Sequence, residues 1–336
     1  MTVSDERPGL ADLGRDITPG DNADSPANRP VPLAPPVGVD DIPRYLHALR
    51  RLADADDLAA AHSGCTLAID VAGRHGSASA LAMAYSQRSS VARRMGRLPE
   101  AARDAEAATE LLEVAGTDPA GPAAALLLSR RVAVLLDLGE PDDLDLADGL
   151  LVEAGLDREL PDEPEFLLLR YIRGRLHTAA ARPGEGLADL YRCGERLAVR
   201  RSDHPAVLPW RSAAASVLVG LGAREAAERL VAEEVALTRR HGLASALGRA
   251  LRIQGRVLPG AAGMAAAEEA IRVLQGTPRR FELATALVDQ GALLNAARRR
   301  PQARRVLRDG LELAQECGSP ALVARARALF AGRNHP

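Results

Sequence analysis

The chain has 336 residues, a formal net charge of −2 at pH 7, only 2% aromatic residues and no lysine. A P-loop, a Schiff base and an SxxK nucleophile pair each need a lysine, so the composition excludes these three chemistries. The apolar residues are mostly Ala and Leu rather than the β-branched and aromatic residues that strands favour, which predicts an all-α protein.

Cysteine use and hydropathy predict the compartment. Cys65, Cys193 and Cys317 are distant from one another and form no CxxC pair, so neither a disulfide framework nor a zinc site is indicated. The N-terminus has no signal-peptide pattern, and no apolar run reaches the roughly 20 residues that a membrane helix needs. We expect a cytoplasmic protein with no membrane association, no metal and no cofactor.

The first segment, residues 1–40, is rich in Pro, Asp and Gly and carries seven acidic residues against three arginines. Such a composition buries too little apolar surface to fold, so we predict a disordered acidic tail. A helical pattern begins at Ile42 and continues, which predicts a helical domain over 41–332 and a short tail over 333–336.

Four segments of the helical region share a turn, a Glu or Gln, a small residue, an amphipathic helix and a stop. They are GRLPEAARDAEAATELLEVAG (96–116), ARPGEGLADLYRCGERLAVRRS (181–202), GAREAAERLVAEEVALTRRHG (222–242) and RRPQARRVLRDGLELAQECG (299–318). Each follows another apolar helix, so the unit is a helix pair that recurs roughly every 40 residues. With less regular units at 57–76, 122–155 and 244–276 and a final capping helix, LVARARALF, we predict six to seven pairs.

One helix pair cannot bury its apolar face alone, so neighbouring pairs must stack. The pattern resembles the tetratricopeptide repeat, with somewhat longer units. That resemblance implies a right-handed superhelical solenoid in which the first helix of each pair lines a concave groove.

Two longer stretches carry a more specific resemblance. They are HPAVLPWRSAAASVLVGLGAREAAERLVAEEVALTRRHG and RRFELATALVDQGALLNAARRRPQARRVLRDGLELAQECGSPALVARARALF. Both are similar to the C-terminal half of LuxR-type large ATP-binding transcriptional regulators, over roughly residues 55–332. Those regulators also have a STAND-type P-loop ATPase and a DNA-binding helix-turn-helix. This sequence shows neither, so the resemblance implies only the middle module, a sensor and interaction scaffold that receives an inducer or a partner.

No HExxH, GxSxG or Gly-rich phosphate loop occurs, so we expect no catalytic residues and no enzyme. His75 and His241 lie in matching Arg-His-Gly helix ends, which indicates helix capping rather than metal binding. Residues 278–333 hold eleven arginines against five acids. Because the whole chain is near neutral and no basic helix has interleaved aromatics, direct DNA binding is not expected.

The predicted groove offers candidate binding residues. On the helix FLLLRYIRGRLHTAAA, Arg170, Arg173 and His177 lie along one side and Tyr171 is adjacent. They would recognise an acidic peptide or an anionic small molecule; alternatively, the polar residues form a solvated face and Tyr171 packs against the next repeat. Further candidates are Tyr85, Gln87, Arg88, Trp210, Arg211, Asp289 and Asn295.

Trp210 is the only tryptophan and follows Pro209 at a predicted repeat junction, where packing between repeats also explains it. We therefore predict a non-enzymatic scaffold or sensor that binds a protein or peptide partner in a regulatory, transcription-linked or biosynthetic context. The alternative is a small-molecule-binding or enzyme accessory protein with its ligand, such as an inducer, in the groove.

Overall fold

A computed structural model describes residues 34–199 and 207–332. Within them the chain forms fifteen α-helices, two short 3₁₀ helices (Val39–Asp41 and Pro164–Phe166) and no strand, which confirms the all-α class. The α-helices are α1 (Ile42–Asp54), α2 (Leu58–Arg74), α3 (Ala78–Met95), α4 (Leu98–Val114), α5 (Pro122–Leu138), α6 (Pro141–Glu153), α7 (Leu167–Ala179), α8 (Pro183–Val199), α9 (Trp210–Gly220), α10 (Arg224–His241), α11 (Ala244–Val257), α12 (Gly260–Gln275), α13 (Arg280–Ala296), α14 (Arg300–Cys317) and α15 (Pro320–Phe330).

The helices form stacked pairs. Each odd-numbered helix from α1 to α13 packs against the helix that follows it, and α15 packs against α13 and α14. The described residues thus contain seven pairs and one terminal helix, as the repeat analysis predicts for a helical-repeat solenoid. The handedness and the domain boundaries stay predictions, and residues 1–33, 200–206 and 333–336 lie outside the described part.

Local signals set the helix ends. The Ser77 side chain accepts a hydrogen bond from the backbone N–H of Ala80 at 3.2 Å and begins α3. Of the predicted stop residues, Gly242 and Gly318 end α10 and α14 in the left-handed conformation. Ser202, the stop predicted after α8, lies outside the described residues.

The core is divided among neighbouring repeats. The largest cluster runs from α5 to α9 and includes Leu169, Leu190 and Leu197, each almost fully buried. Separate clusters join α1 to α3 and α12 to α15. This division is typical of a solenoid, because each repeat buries its apolar face against the next.

The solenoid closes on itself, whereas the sequence predicted only a concave groove. Helix α13 contacts α3, and α15 contacts α5. The Arg279 Nη2 atom lies 2.8 Å from Asp56 Oδ1, and Gly96 has φ of 81° beside Cys317, where a Cβ atom would lie 2.7 Å from the sulfur. We call this contact the seam; its residues are Asp56, Gly96 and Asp137 on one side and Arg279, Cys317 and Ser319 on the other.

Candidate anion-binding cavity

The closed ring encloses a central cavity of about 540 Å³, within the size range of small-molecule sites. The odd-numbered helices supply most of its wall, from Arg50 on α1 to Arg325 on α15. The face predicted as a concave groove is therefore the inside of a ring, and a ligand there would contact repeats that are far apart in sequence.

Positive charge dominates the cavity wall. Ten arginines line it against two acidic residues, Asp137 and Glu282. Such an imbalance in a partly enclosed space favours anions, because the low-dielectric walls focus the field of the guanidinium groups. The ten are Arg50, Arg93, Arg94, Arg130, Arg175, Arg249, Arg252, Arg256, Arg279 and Arg325.

Some of these arginines are neutralised by carboxylates. Asp137 accepts hydrogen bonds from Arg93 Nη1 at 2.6 Å and Arg175 Nη2 at 3.2 Å. Burial favours the neutral form of Asp289, but the positive charges of the guanidinium groups around it have the larger effect. They hold the pKa of this carboxyl well below its usual range. Arg252 and Arg325 both donate to Asp289. These contacts make an ionic network on one side of the cavity.

Other arginines have fewer counter-charges. We call four of them the seam arginines: Arg50 on α1, Arg94 on α3, Arg130 on α5 and Arg279, the residue before α13. Among the described residues, two carboxylates form ion pairs with this group, Asp54 with Arg94 at 2.8 Å and Asp56 with Arg279 at 2.8 Å.

Arg130 is the least compensated seam arginine. Its guanidinium donates to two neutral groups, Gln87 Oε1 at 2.7 Å and Ser86 Oγ at 3.1 Å. Burial, and then the positive charges of Arg50 and Arg94, lowers the pKa of Arg130 to about 9, so it stays cationic at neutral pH. Burial, followed by the charge of Arg94, lowers the pKa of Arg279 to about 10. Like charges are thus held together without enough anions to neutralise them.

Another part of the wall, on α7 and α9, is largely apolar. Leu168 and Ile172 on α7 face the cavity, together with Val207, Pro209 and Val217 at and before α9. The hydroxyl oxygen of Ser212, also in the wall, is buried without a hydrogen-bond partner. The cavity therefore presents a cationic region and an apolar region to one ligand.

Of the residues predicted to bind, Tyr171 and Gln87 line the cavity. Tyr171 is almost fully buried, and burial raises the pKa of its phenol. The charged residue of α7 that lines the cavity is Arg175, which was not among the predicted binding residues.

Arg170, Arg173 and His177 lie on another side of α7 and do not line the cavity, so their role in binding stays a prediction. Arg173 Nε and Nη2 donate to the two carboxylate oxygens of Asp189 on α8, each at 2.7 Å. Arg170 donates to the carbonyl of Leu160 at 2.8 Å, and His177 Nδ1 lies 3.6 Å from Asp189. The three do share a helix side, but that side faces α8 and the loop before α7.

Arg88 and Tyr85 occupy the equivalent place on α3, away from the cavity wall. Arg88 Nε and Nη2 donate to Asp104 on α4 at 2.7 and 2.8 Å, and its guanidinium lies 5.5 Å from the Tyr85 ring centre. The spacing from arginine to aspartate is 16 residues here and in the Arg173–Asp189 pair. This repeated ion pair joins the two helices of a repeat.

The remaining predicted residues also make internal contacts. The Trp210 indole packs on Gly194 of α8, where a Cβ would lie 2.5 Å from the ring, and Arg211 stacks 4.6 Å from the indole centre and pairs with Glu233 at 3.2 Å. Asn295 Nδ2 donates to the carbonyl of Leu329 at 2.9 Å. Trp210 thus fills the gap between two repeats, which is the packing explanation considered from the sequence.

The sequence held one signal for the cavity that was missed. Arg249, Arg252 and Arg256 on α11 follow one another at intervals of three and four residues, and all three line the cavity. Three arginines on one side of an inner helix, with two acids on the neighbouring α13, indicate a cationic inner wall.

The three cysteines are buried. Burial raises the pKa of the Cys65 thiol to about 12 and that of Cys317 to about 11, so both stay protonated and unreactive. In residues 34–199 and 207–332, no three potential metal ligands of the His, Cys, Asp or Glu type cluster, and no helix is both long and apolar enough to span a membrane.

Comparison with known proteins adds little beyond the helix pairs. No model of a protein family and no curated protein matches the chain. Among solved structures, a tetratricopeptide repeat protein from Parabacteroides merdae ATCC 43184 is similar at 17% identity and a TM-score of 0.46. The match covers 88% of this chain and 98% of that one. The assignment of the fold rests on the packing of the helices within this chain.

Proposed function

We propose that the protein is a non-enzymatic receptor that binds a small anionic ligand inside the ring. One observation carries this proposal: ten arginines and two acids line a cavity of about 540 Å³. Burying so many like charges is costly unless an anion neutralises them, so the arrangement is better suited to binding than to stability.

The cavity wall favours binding over catalysis. Its described lining contains no histidine, cysteine or lysine, and its two acids lie beside arginines rather than across a cleft. Asp137 is held by Arg93 and Arg175, and Glu282 Oε2 lies 3.6 Å from Arg252 Nε. A general base or nucleophile needs a free lone pair near the substrate, and these acids already interact with arginines.

Ring closure favours a small ligand over a long peptide. A peptide partner in an open solenoid lies along the concave face, but here α13 and α15 close that face against α3 and α5. The alternative considered from the sequence, a small molecule inside the solenoid, therefore becomes the leading function.

A thermal-shift panel tests the proposal. The purified protein is heated with citrate, adenosine 5′-monophosphate, inorganic phosphate, glucose and spermidine, each at matched ionic strength. Because a ligand that binds only the folded state raises the melting temperature, we expect stabilisation by at least one anion and by neither glucose nor spermidine. No stabilisation by any anion, or equal stabilisation by glucose, contradicts the proposal.

We propose partner binding as a second function, placed outside the ring. Six exposed arginines lie at or near α14, and the resemblance to LuxR-type regulators supports a regulatory, transcription-linked role for the module. They are Arg298, Arg299, Arg300, Arg304, Arg305 and Arg308. Replacing Arg298, Arg299 and Arg300 with Gln should reduce the amount of partner protein that co-purifies, while the affinity for anions stays unchanged. A loss of salt-dependent DNA affinity in that variant would instead indicate direct DNA binding.

A further inference from the structure

Some arginines of the cavity are neutralised by neighbouring carboxylates and others are not. This difference indicates where the charged group of a ligand would bind. On the α11–α13–α15 side, Arg252 and Arg325 share Asp289, and burial of Arg252 is outweighed by its acidic neighbours, so its pKa is raised. Among the seam arginines, burial lowers the pKa of Arg50 and of Arg130. An anion gains most at the second group because, among the described residues, no carboxylate forms an ion pair with Arg130.

The net charge of the seam arginines and their ion-pair partners matches one phosphate monoester. The four seam arginines are balanced by Asp54 and Asp56, which leaves two positive charges. A phosphate monoester carries about −1.5 to −2 near neutral pH, whereas a single carboxylate carries −1. Arg249 also lines the cavity and lowers the pKa of Arg279 further, after burial and Arg94.

The arrangement of the donors also favours a phosphoryl group. The seam arginines approach from α1, α3, α5 and the start of α13, so their guanidinium groups come from several directions. A phosphoryl group has three terminal oxygens and can accept from all of them, whereas a planar carboxylate offers two.

On the basis of the proposed receptor function, we propose that the ligand is a small organic phosphate ester whose phosphoryl group binds the seam arginines. Its organic part lies against the apolar wall of α7 and α9, where Ile172 and Val217 face the cavity. The bound group joins α1, α3 and α5 to α13, and so ties the first repeats of the ring to the last.

Calorimetric titration of the full chain with adenosine 5′-monophosphate tests this site. Arg130→Gln removes a seam arginine. Arg88→Gln is the control, because Arg88 pairs with a carboxylate, that of Asp104, and lies away from the cavity wall. Loss of a charge-assisted contact should weaken binding by roughly tenfold or more in Arg130→Gln. We expect a change of less than about threefold in the control, since its charge is already neutralised.

The unliganded variants supply an independent readout. Removing a charge from a group of repelling arginines should leave the melting temperature of Arg130→Gln equal to or above that of the wild type. Arg88→Gln should melt lower, because Asp104 loses both hydrogen bonds from the Arg88 guanidinium. Arg50→Gln replaces Arg130→Gln if the latter does not fold, with the same expectation for binding.

The outcomes separate the two proposals. If the wild type binds neither the nucleotide nor citrate nor inorganic phosphate, the receptor function itself is wrong. If anions bind but Arg130→Gln and Arg88→Gln weaken their binding equally, or citrate binds as tightly as the nucleotide, the phosphoryl site is wrong and the receptor function stands. Equal affinity for inorganic phosphate and the nucleotide would contradict the proposal that the ligand has an organic part bound to the apolar wall.

Discussion

Ser319 Oγ donates a hydrogen bond of 2.7 Å to the backbone carbonyl of Asp137, across 182 residues of sequence. The same aspartate's carboxylate binds Arg93 and Arg175 in the cavity wall. Asp137 thus joins the seam to the cationic wall of the cavity. The contact that closes the ring and the ion pairs that line the cavity share this residue.

Ser319→Ala should loosen the seam. The Ser319 hydroxyl donates to Asp137 and also accepts from the backbone N–H of Leu322 at the start of α15, at 3.3 Å. Losing a cap and a buried hydrogen bond should cost about 1.5–3 kcal/mol. Ser77→Ala is the control, because Ser77 only caps α3, and should cost about 1 kcal/mol. Hydrogen exchange of α15 measures the effect; equal exchange in the two variants would show that the seam bond contributes nothing.

The Arg173–Asp189 pair should be structural. Asp189→Asn leaves the buried Arg173 without its carboxylate and Arg170 with Asp162 alone, which should destabilise the protein by about 3 kcal/mol. Asp148→Asn is the control, since its pair with Arg182 is half-exposed and should be worth about 0–1 kcal/mol. Urea unfolding measures both. A stable Asp189→Asn variant that loses anion binding would return these arginines to the binding site.

The positions of the helices were accessible from sequence because Gly, Pro and a helical apolar period mark each repeat locally. Ring closure could not be predicted from the sequence, because Arg279 meets Asp56 only after the small rotations between seven repeats have accumulated. The side of α7 that faces the cavity was also ambiguous, since a period of 3.6 groups Arg170, Arg173 and His177 without saying what they face. The 16-residue spacing from Arg88 to Asp104, repeated from Arg173 to Asp189, was the available signal for a pair within each repeat.

His177 should make stability depend on pH. Burial, assisted by Arg182 and Arg173 and opposed by Asp189, lowers the pKa of His177 from its ordinary 6.5. The unfolded chain then binds a proton more readily than the folded one, so the contribution is fully present above about pH 6.5 and is lost as pH falls below it. Urea unfolding at pH 7.5 and 5.5 should show a smaller loss in His177→Gln than in the wild type. The exposed His75→Gln serves as control, and an unchanged loss in His177→Gln would refute this assignment.

Trp210 should act in packing and not in ligand binding. Trp210→Ala removes the ring that packs on Gly194 and lies 6.2 Å from the Tyr191 ring centre, which should cost about 3 kcal/mol. Anion affinity of the folded variant should stay within about twofold of the wild type. A variant that keeps its stability but loses a ligand or partner would assign Trp210 to recognition.

The most direct test of an anion-binding ring is a crystal structure of the full chain grown with selenate, located by the anomalous scattering of selenium. We predict a strong peak inside the cavity, within hydrogen-bond distance of Arg130 and at least one further seam arginine. A cavity without a peak, in crystals where selenate occupies the exposed arginines of α14, would contradict the account.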